Sequence, residues 1–183
     1  MPQTTENVVE HVKSTIRTIP NFPKEGIMFR DITTALKDST ALKEMIDFLT
    51  EKFKDEKIDY VAGLESRGFI FGVPVACNLN AGFIPVRKPH KLPAETISQT
   101  YDLEYGTDTL EIHKDALKAG DRVLIVDDLL ATGGTASAAC NLVTKTGAEI
   151  AGLGFIVELP ALNGKNKLPK NAKVVSMVSF DGE

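Results

Sequence analysis

The chain has 183 residues, a length that suits one domain with a sizeable hydrophobic core. Hydrophobic residues make up 43% of it and charged residues 25%, which argues against disorder over most of the chain. The net charge of -4, without any basic block in the sequence, argues against DNA or RNA as the main partner.

The N-terminal segment, MPQTTENVVE, is polar and acidic, unlike a secretory signal. No apolar run in the sequence approaches membrane-spanning length, so we expect no membrane partner and a cytoplasmic location. Cys77 and Cys140 lie far apart in apolar segments, and we expect both to be reduced core residues. The sequence contains no Cys/His cluster with metal-ligand spacing.

Two helices separated by an ordered loop are predicted for the N-terminal third. Apolar residues recur at helical spacing from residue 8 to residue 19, and Pro20 ends that run. Residues 21–34 (NFPKEGIMFRDITT) lack clear periodicity and predict the loop. The second helix begins near Ser39 or Thr40, either of which can cap it. Its predicted buried stripe consists of Leu42, Met45, Ile46, Leu49 and Phe53.

Strands and helices alternate along the rest of the chain. The predicted strands are Tyr60–Leu64, Gly82–Val86, Val123–Asp128, Ile150–Glu158 and Val174–Val178. The predicted helices are Gly68–Leu79, with Pro74 inside it, and Ala136–Lys145, which Gly147 ends. Residues 87–113 predict a mobile loop that leads into a hairpin around Gly106. The pattern is typical of an α/β fold with an open, mainly parallel sheet flanked by helices.

The segment VLIVDDLLATGGT, Val123–Thr135, carries the clearest chemistry. Its apolar strand ends in Asp127 and Asp128, and a loop with two adjacent glycines then opens a helix. Ligands bind beyond the carboxyl ends of parallel strands, and a helix N-terminus favours phosphate. The residues predicted to bind phosphate are Ala131, Thr132, Gly133, Gly134 and Thr135. The two carboxylates can hold the vicinal hydroxyls of a ribose, directly or through a divalent cation. The segment has neither a P-loop lysine nor Rossmann glycine spacing.

This segment resembles the phosphoribosyl pyrophosphate signature of the type I phosphoribosyltransferases. Four further segments are similar to the members of that family that act on adenine. They are FPKEGIMFRDIT at 22–33, GLESRGFIFG at 63–72, RKPHKLP at 87–93 and YDLEYGTDTLEIHKDAL at 101–117. The resemblance covers nearly the whole chain. It implies one domain over residues 1–183, with a hood at about 20–34 and a mobile loop and hairpin at about 87–113.

The resemblance also implies a reaction, which is the transfer of phosphoribose from 5-phosphoribosyl 1-pyrophosphate to adenine. The products are AMP and pyrophosphate, and the enzyme is a homodimer. Mg²⁺ is the implied cofactor, held mainly by the substrate, with Asp127 as the protein group considered for a contact through water. The sequence leaves two alternatives open. One is an enzyme of the same fold that acts on another purine base. The other is a regulator that keeps the phosphoribosyl site without chemistry.

Basic residues on two segments are assigned to pyrophosphate. Ser66 and Arg67 follow a strand and offer N–H donors and a fixed cation, although an ordinary helix cap with a surface arginine explains them equally well. The resemblance favours the pyrophosphate site, gives Arg67 a catalytic role, and implies a cis peptide between Glu65 and Ser66.

A second basic cluster consists of Arg87, Lys88 and Lys91, for which a solvated loop is the alternative. The resemblance implies that the loop closes over pyrophosphate and that part of it reaches the neighbouring subunit. It places Tyr105 beside pyrophosphate and makes Glu104 the catalytic acid–base group at the imidazole edge of the base.

The hood is the segment assigned to the base. The resemblance implies that Phe29 packs on the adenine face, while the main chains of Met28 and Arg30 contact its amino edge. A buried Phe in a tight loop is the simpler explanation from the residues alone.

Overall fold

The computed structural model describes residues 4–103 and 106–182 of the chain. The strands are β1 (Arg17–Pro20), β2 (Met28–Asp31), β3 (Tyr60–Leu64), β4 (Gly82–Val86), β5 (Thr96–Asp102), β6 (Thr107–His113), β7 (Arg122–Leu130), β8 (Glu149–Glu158) and β9 (Val174–Ser179). The helices are α1 (Thr5–Thr15), α2 (Thr33–Lys37), α3 (Ser39–Phe53), α4 (Gly68–Asn78) and α5 (Gly134–Lys145). Two short 3₁₀ helices, Pro160–Leu162 and Gly164–Lys167, lie between β8 and β9.

Five parallel strands form the central sheet in the order β4-β3-β7-β8-β9. Strand order reverses between β3 and β7, because the chain first extends the sheet to β4 and then returns to the other side of β3. Open parallel sheets bind ligands at such a switch point, beyond the carboxyl ends of the strands. The predicted α/β fold with a mainly parallel sheet is confirmed.

The sheet is buried on both faces. Along β7, Leu124 belongs to one apolar cluster and Ile125 to the other, as alternate residues of a strand must. One cluster includes Met45, Leu49 and Phe53 of α3, and α5 contributes to the other. Burial of each such side chain is worth about 1.5–3 kcal/mol. The two helical layers therefore hold the carboxyl ends of the strands in fixed positions.

The hood is a two-stranded ribbon, which the sequence did not predict. The predicted first helix ends at Thr15 rather than at Pro20, and β1 then pairs antiparallel with β2. The predicted loop at 21–34 therefore contains a strand and the beginning of α2. Arg17 and Asp31 face each other across the ribbon, with 2.5 Å between Nη2 and Oδ2. This pairing links positions 14 residues apart, so local periodicity could not reveal it.

Two further expectations need correction. Asp38 caps α3, accepting from the N–H groups of Thr40 and Ala41, so neither Ser39 nor Thr40 is the cap. Cys77 is exposed and not a core residue, whereas Cys140 is buried as predicted. Burial raises the pKa of the Cys140 thiol to about 12. No helix among the described residues has the length and apolar character needed to cross a membrane.

The predicted hairpin is present. Strands β5 and β6 pair in register from Thr96 with His113 to Asp102 with Thr107. The backbone of Arg87 bridges to Glu111 of β6, which ties the segment after β4 to the hairpin. The mobility of residues 87–100 stays a prediction.

Candidate active site

A cleft of about 240 Å³ opens at the carboxyl ends of β3 and β7. Its lining consists of Glu65, Ser66, Arg67, Lys88 and residues 127–136. The structure thus brings together the residues predicted for the ribose and the 5′-phosphate with three of those predicted for pyrophosphate, namely Ser66, Arg67 and Lys88. Arg87 and Lys91 lie beside this lining, and Met28, Phe29 and Arg30 lie on the hood ribbon outside it.

The phosphate loop, residues 131–135, is shaped by Gly133. This glycine has a φ of 77°, in the left-handed region that residues with a Cβ rarely adopt. Helix α5 begins at Gly134, and a glycine at its N-cap has no side chain to satisfy the first backbone N–H groups. Those groups and the positive end of the helix dipole make the loop suitable for a phosphate.

Gly164 packs against the phosphate loop. The sequence did not identify this residue as part of the site. A Cβ on Gly133 would lie 2.3 Å from the carbonyl oxygen of Gly164. A Cβ on Gly164 would lie 2.2 Å from the carbonyl oxygen of Ala131. Two glycine backbones therefore touch, and each requires the other to lack a side chain. The local signal in the sequence was Leu-Asn-Gly at 162–164, which is typical of a turn. Asn163 in this turn has a φ of 54°.

Arg67 and Asp128 form the central ion pair of the cleft. Arg67 Nε lies 2.5 Å from Asp128 Oδ2, and the side chain of Asp128 is buried. Burial opposes the charge on Arg67, but the hydrogen bond to Asp128 and the negative charges of Asp128 and Asp127 together outweigh burial and raise the pKa of the guanidinium. The pair holds a fixed positive charge and a fixed carboxylate side by side.

Asp127 differs from its neighbour. Its Oδ1 accepts a hydrogen bond from the backbone N–H of Asp128 at 2.9 Å. Burial, reinforced by the negative charge of Asp128, raises the pKa of Asp127 well above its usual value. A hydroxyl donor or a hydrated cation near Asp127 would favour its ionised form.

Glu65 organises the basic segment, a role that sequence analysis did not assign. Its carboxylate accepts from Lys91 Nζ at 2.5 Å, from the backbone N–H of Lys88 at 2.9 Å and from Arg87 Nε at 3.3 Å. Burial opposes its charge, but these three donors hold the pKa of Glu65 below its usual range. The implied cis peptide between Glu65 and Ser66 is present.

Lys88 reaches into the cleft from a polar cluster on the hairpin. Its Nζ contacts the carboxylate of Asp108 and lies 3.1 Å from the hydroxyl of Tyr101. Tyr101 in turn accepts from Thr135 Oγ1 at 3.3 Å. This cluster connects the basic segment to the phosphate loop.

On the hood, Phe29 contacts Phe22 edge-on, with ring centroids 5.2 Å apart. The guanidinium of Arg30 lies 4.4 Å from the ring centroid of Phe180 and donates to Thr18 Oγ1 at 2.6 Å. The side chain of Arg30 is thus fixed by protein groups.

Glu104 and Tyr105 lie outside the described residues, so their predicted roles stay predictions. Within residues 4–103 and 106–182, no three His, Cys, Asp or Glu side chains converge as a metal site. Mg²⁺ as the cofactor stays a prediction.

Comparison with known proteins identifies the family. Residues 33–182 match the phosphoribosyl transferase domain. The adenine phosphoribosyltransferase of Trichodesmium erythraeum is 57% identical over 92% of this chain and 99% of its own. That of Clostridium perfringens is 58% identical over 93% of this chain and 98% of its own.

Solved structures agree with these relatives. The crystal structure of adenine phosphoribosyltransferase from Thermoanaerobacter pseudethanolicus superposes with a TM-score of 0.90 at 51% identity, covering 94% of this chain and 99% of that one. The Saccharomyces cerevisiae enzyme, in complex with adenine and an imino-altritol bisphosphate, has a TM-score of 0.87 at 44% identity, with coverage of 94% and 99%. The chain belongs to the phosphoribosyl transferase family and, within it, to the adenine phosphoribosyltransferases.

Proposed function

We propose that the protein salvages adenine, converting it and 5-phosphoribosyl 1-pyrophosphate to AMP and pyrophosphate. One observation carries the proposal, which is the Arg67–Asp128 pair at 2.5 Å in the same cleft as the phosphate loop. A single substrate that carries a diphosphate, a ribose and a 5′-phosphate can meet all of these groups at once. The close adenine phosphoribosyltransferase relatives support the same reaction.

Each part of that substrate has a matching part of the cleft. The 5′-phosphate binds the backbone N–H groups of residues 131–135, and the ribose hydroxyls bind Asp127 and Asp128. The diphosphate binds Ser66, Arg67 and Lys88, with Arg87, Lys91 and Tyr105 assigned to its outer side. Arg67 is 61 positions from Asp128, yet their contact fixes the diphosphate site beside the ribose site.

The hood supplies the base site. Phe29 packs on the adenine face, and the main chains of Met28 and Arg30 pair with its polar edge. The fixed side chain of Arg30 supports this assignment, since it leaves the main chain to recognise the base. The Saccharomyces cerevisiae relative was crystallised with adenine.

The chemistry exchanges one bond at the anomeric carbon for another. The bond to the diphosphate oxygen breaks, positive charge develops on the ribose, and N9 of adenine forms the new bond. Glu104 receives the proton that the base loses at its imidazole edge. Arg67 and Lys88 stabilise the charge on the departing diphosphate.

Mg²⁺ belongs to the proposal as the cofactor. When bound, it neutralises the diphosphate and assists its departure. Asp127 would contact it through water, while Asp128 is already engaged by Arg67. The ion is held mainly by the substrate.

We also propose a homodimer that uses the outer face of α4. Ile70 and Val73 are 41% and 44% exposed, and Cys77 lies on the same face. Helix α4 begins one residue after Arg67, so a second subunit packed on this face would lie beside the diphosphate site. Light scattering should give twice the chain mass, with Val73→Glu reduced to the chain mass; a monomeric wild type contradicts the dimer.

A cytoplasmic location fits the two free thiols.

Product identification tests the proposed function. The protein is incubated with adenine, phosphoribosyl pyrophosphate and Mg²⁺, and the nucleotides are separated and quantified. We expect equal amounts of AMP and pyrophosphate from the wild type, and formation of both slowed about 10–100-fold with Asp128→Asn. Binding of phosphoribosyl pyrophosphate without turnover of any purine base would instead support the regulator and overturn the proposal.

A further inference from the structure

Tyr101 of β5 lies just outside the lining of the cleft. It contacts one residue assigned to the diphosphate and one residue of the phosphate loop. Its hydroxyl oxygen lies 3.1 Å from Lys88 Nζ, which is assigned to the diphosphate. The same oxygen lies 3.3 Å from Thr135 Oγ1, in the loop assigned to the 5′-phosphate. Its proton is directed to Asp108 Oδ2 at 3.3 Å.

The hydrogen-bonding capacity of these groups leaves donors for a ligand. The ammonium of Lys88 has three N–H donors, of which Tyr101 and Asp108 take two. The third remains for the cleft, which Lys88 lines together with Thr135. When the phenol turns its single proton from Asp108 to Thr135 Oγ1, Thr135 keeps its own proton for a phosphate. Asp108 stays satisfied by Lys88 and by the backbone N–H of Thr109 at 2.7 Å.

The Tyr101 ring is fixed independently of its hydroxyl. A Cβ on Gly134 would lie 3.4 Å from Cδ2 of the ring, so the first residue of α5 packs directly against it. Lys88 Nζ also lies 5.6 Å from the ring centroid, within the range of a cation–π contact. Removal of the hydroxyl alone therefore leaves the packing of the hairpin on α5 intact.

We infer that Tyr101 is a positioning residue that aligns the two ends of the phosphoribosyl pyrophosphate site. Its hydroxyl holds the Lys88 ammonium towards the diphosphate and the Thr135 hydroxyl towards the 5′-phosphate. This inference rests on the proposed function. Tyr101 acts on the substrate through these two residues, because it does not belong to the described lining of the cleft.

Tyr101→Phe tests the inference, because it removes the hydroxyl and keeps the ring. The hydrogen bonds that the hydroxyl makes to Lys88 and to Thr135 are both lost, so we expect the KM for phosphoribosyl pyrophosphate to rise on the order of tenfold. The KM for adenine should stay within about twofold. Thr100→Val is the matched control, since among the described residues its hydroxyl bonds to Thr109 Oγ1 alone, across the same hairpin at 3.0 Å. We expect that control to behave as wild type.

A double-mutant cycle separates positioning from general damage. Pyrophosphate affinity is measured by calorimetry for wild type, Tyr101→Phe, Lys88→Met and the double variant. Because Tyr101 acts through Lys88, the double variant should lose little more than Lys88→Met alone. Additive losses, or an unchanged KM in Tyr101→Phe, would overturn the inference. If the wild type forms no AMP, the proposed function fails, whereas the calorimetric cycle still decides the role of Tyr101.

Discussion

Arg67 Nε and Asp128 Oδ2 lie 2.5 Å apart, joining the end of β3 to the end of β7. The contact couples the residue assigned to the diphosphate with the residue assigned to the ribose. Because Asp128 is buried and Arg67 is half-exposed, the carboxylate fixes the guanidinium more than the reverse. Loss of the carboxylate should therefore affect both parts of the substrate.

For Asp128→Asn we expect kcat/KM for phosphoribosyl pyrophosphate to fall about 10–100-fold. A hydrogen bond to a charged group contributes about 1.5–3 kcal/mol, and the amide keeps the size but loses the charge. Steady-state kinetics measure the fall, and circular dichroism checks the fold. Asp55→Asn, an exposed carboxylate on the surface, is the control. Wild-type kinetics in Asp128→Asn would remove the residue from the ribose site.

For Glu104→Ala we expect kcat to fall on the order of 10²–10⁴-fold, the usual contribution of a placed acid–base group. Affinity for phosphoribosyl pyrophosphate should be largely kept, because the base and not the diphosphate meets this residue. Single-turnover kinetics and calorimetry separate the two effects. The neighbouring exposed carboxylate offers a control in Asp102→Asn. A defect confined to phosphoribosyl pyrophosphate affinity would assign Glu104 elsewhere.

For Gly133→Ala we expect AMP affinity to fall more than tenfold, because the new Cβ would meet the Gly164 carbonyl oxygen at 2.3 Å. Gly120→Ala is the matched control. Gly120 has a φ of 86°, but a Cβ there meets no atom within 4 Å. It should lose about 1–2 kcal/mol of unfolding free energy with unchanged AMP affinity. Equal AMP affinities in the two variants would contradict the role of the close approach of Gly133 and Gly164 in shaping the phosphate loop.

Asp31 should make the stability of the hood depend on acid pH. Hydrogen bonds from Arg17 and Thr33 lower the pKa of Asp31 from 3.8 to about 2. A lowered pKa stabilises the fold above about pH 4, and the stabilisation is lost as the pH falls through about 2. A tenfold change in proton affinity is worth about 1.4 kcal/mol. Because Arg17 is largely exposed and solvent screens its charge, we expect the Asp31 carboxylate to contribute about 1–2 kcal/mol to the unfolding free energy at neutral pH.

The measurement is urea unfolding of wild type and Asp31→Asn at several pH values. The difference in unfolding free energy should be constant from pH 7 to pH 5 and shrink towards pH 2. Asp55→Asn serves again as a surface control, with little difference at any pH. A difference that persists at pH 2 would mean that the carboxylate charge is not what stabilises the ribbon.

The central sheet could be predicted because each of its strands is a short apolar run. Such a run can be recognised without knowing which parallel strand it pairs with. Tyr60–Leu64 and Gly82–Val86 have the predicted bounds. The hood ribbon could not be predicted, because its strands show no alternating burial and they pair residues that are distant in sequence, such as Arg17 and Asp31. Cys77 was placed in the core because α4 is apolar all round, and only the tertiary packing shows which face stays exposed.

The candidate site divides in the same way. The cleft residues on the segment Val123–Thr135 follow one another in sequence, so the motif alone placed them together. Gly164 and Glu65 act through contacts with residues that are distant in the chain. A pattern of residue types does not show which distant residues come into contact. The close approach of Gly133 to Gly164 is likewise a contact between distant parts of the chain.

The preference for adenine over other purine bases depends on the main chain of the hood. Adenine has an amino donor at C6 and an acceptor at N1, whereas hypoxanthine and guanine reverse both groups. If the main chains of Met28 and Arg30 pair with adenine, a 6-oxo base leaves two buried polar groups unpaired, at about 1–3 kcal/mol each. The expected discrimination is on the order of 10²–10⁴-fold. Arg30→Ala should keep much of it, because the recognising atoms belong to the backbone.

The most direct measurement is a competition among purine bases. Adenine, hypoxanthine, guanine and xanthine are supplied at equal concentration with limiting phosphoribosyl pyrophosphate and Mg²⁺, and the nucleotides formed are quantified by mass spectrometry. We expect AMP as almost the sole product, with IMP, GMP and XMP at least about 100-fold lower. Comparable amounts of AMP and IMP would contradict the assignment to adenine.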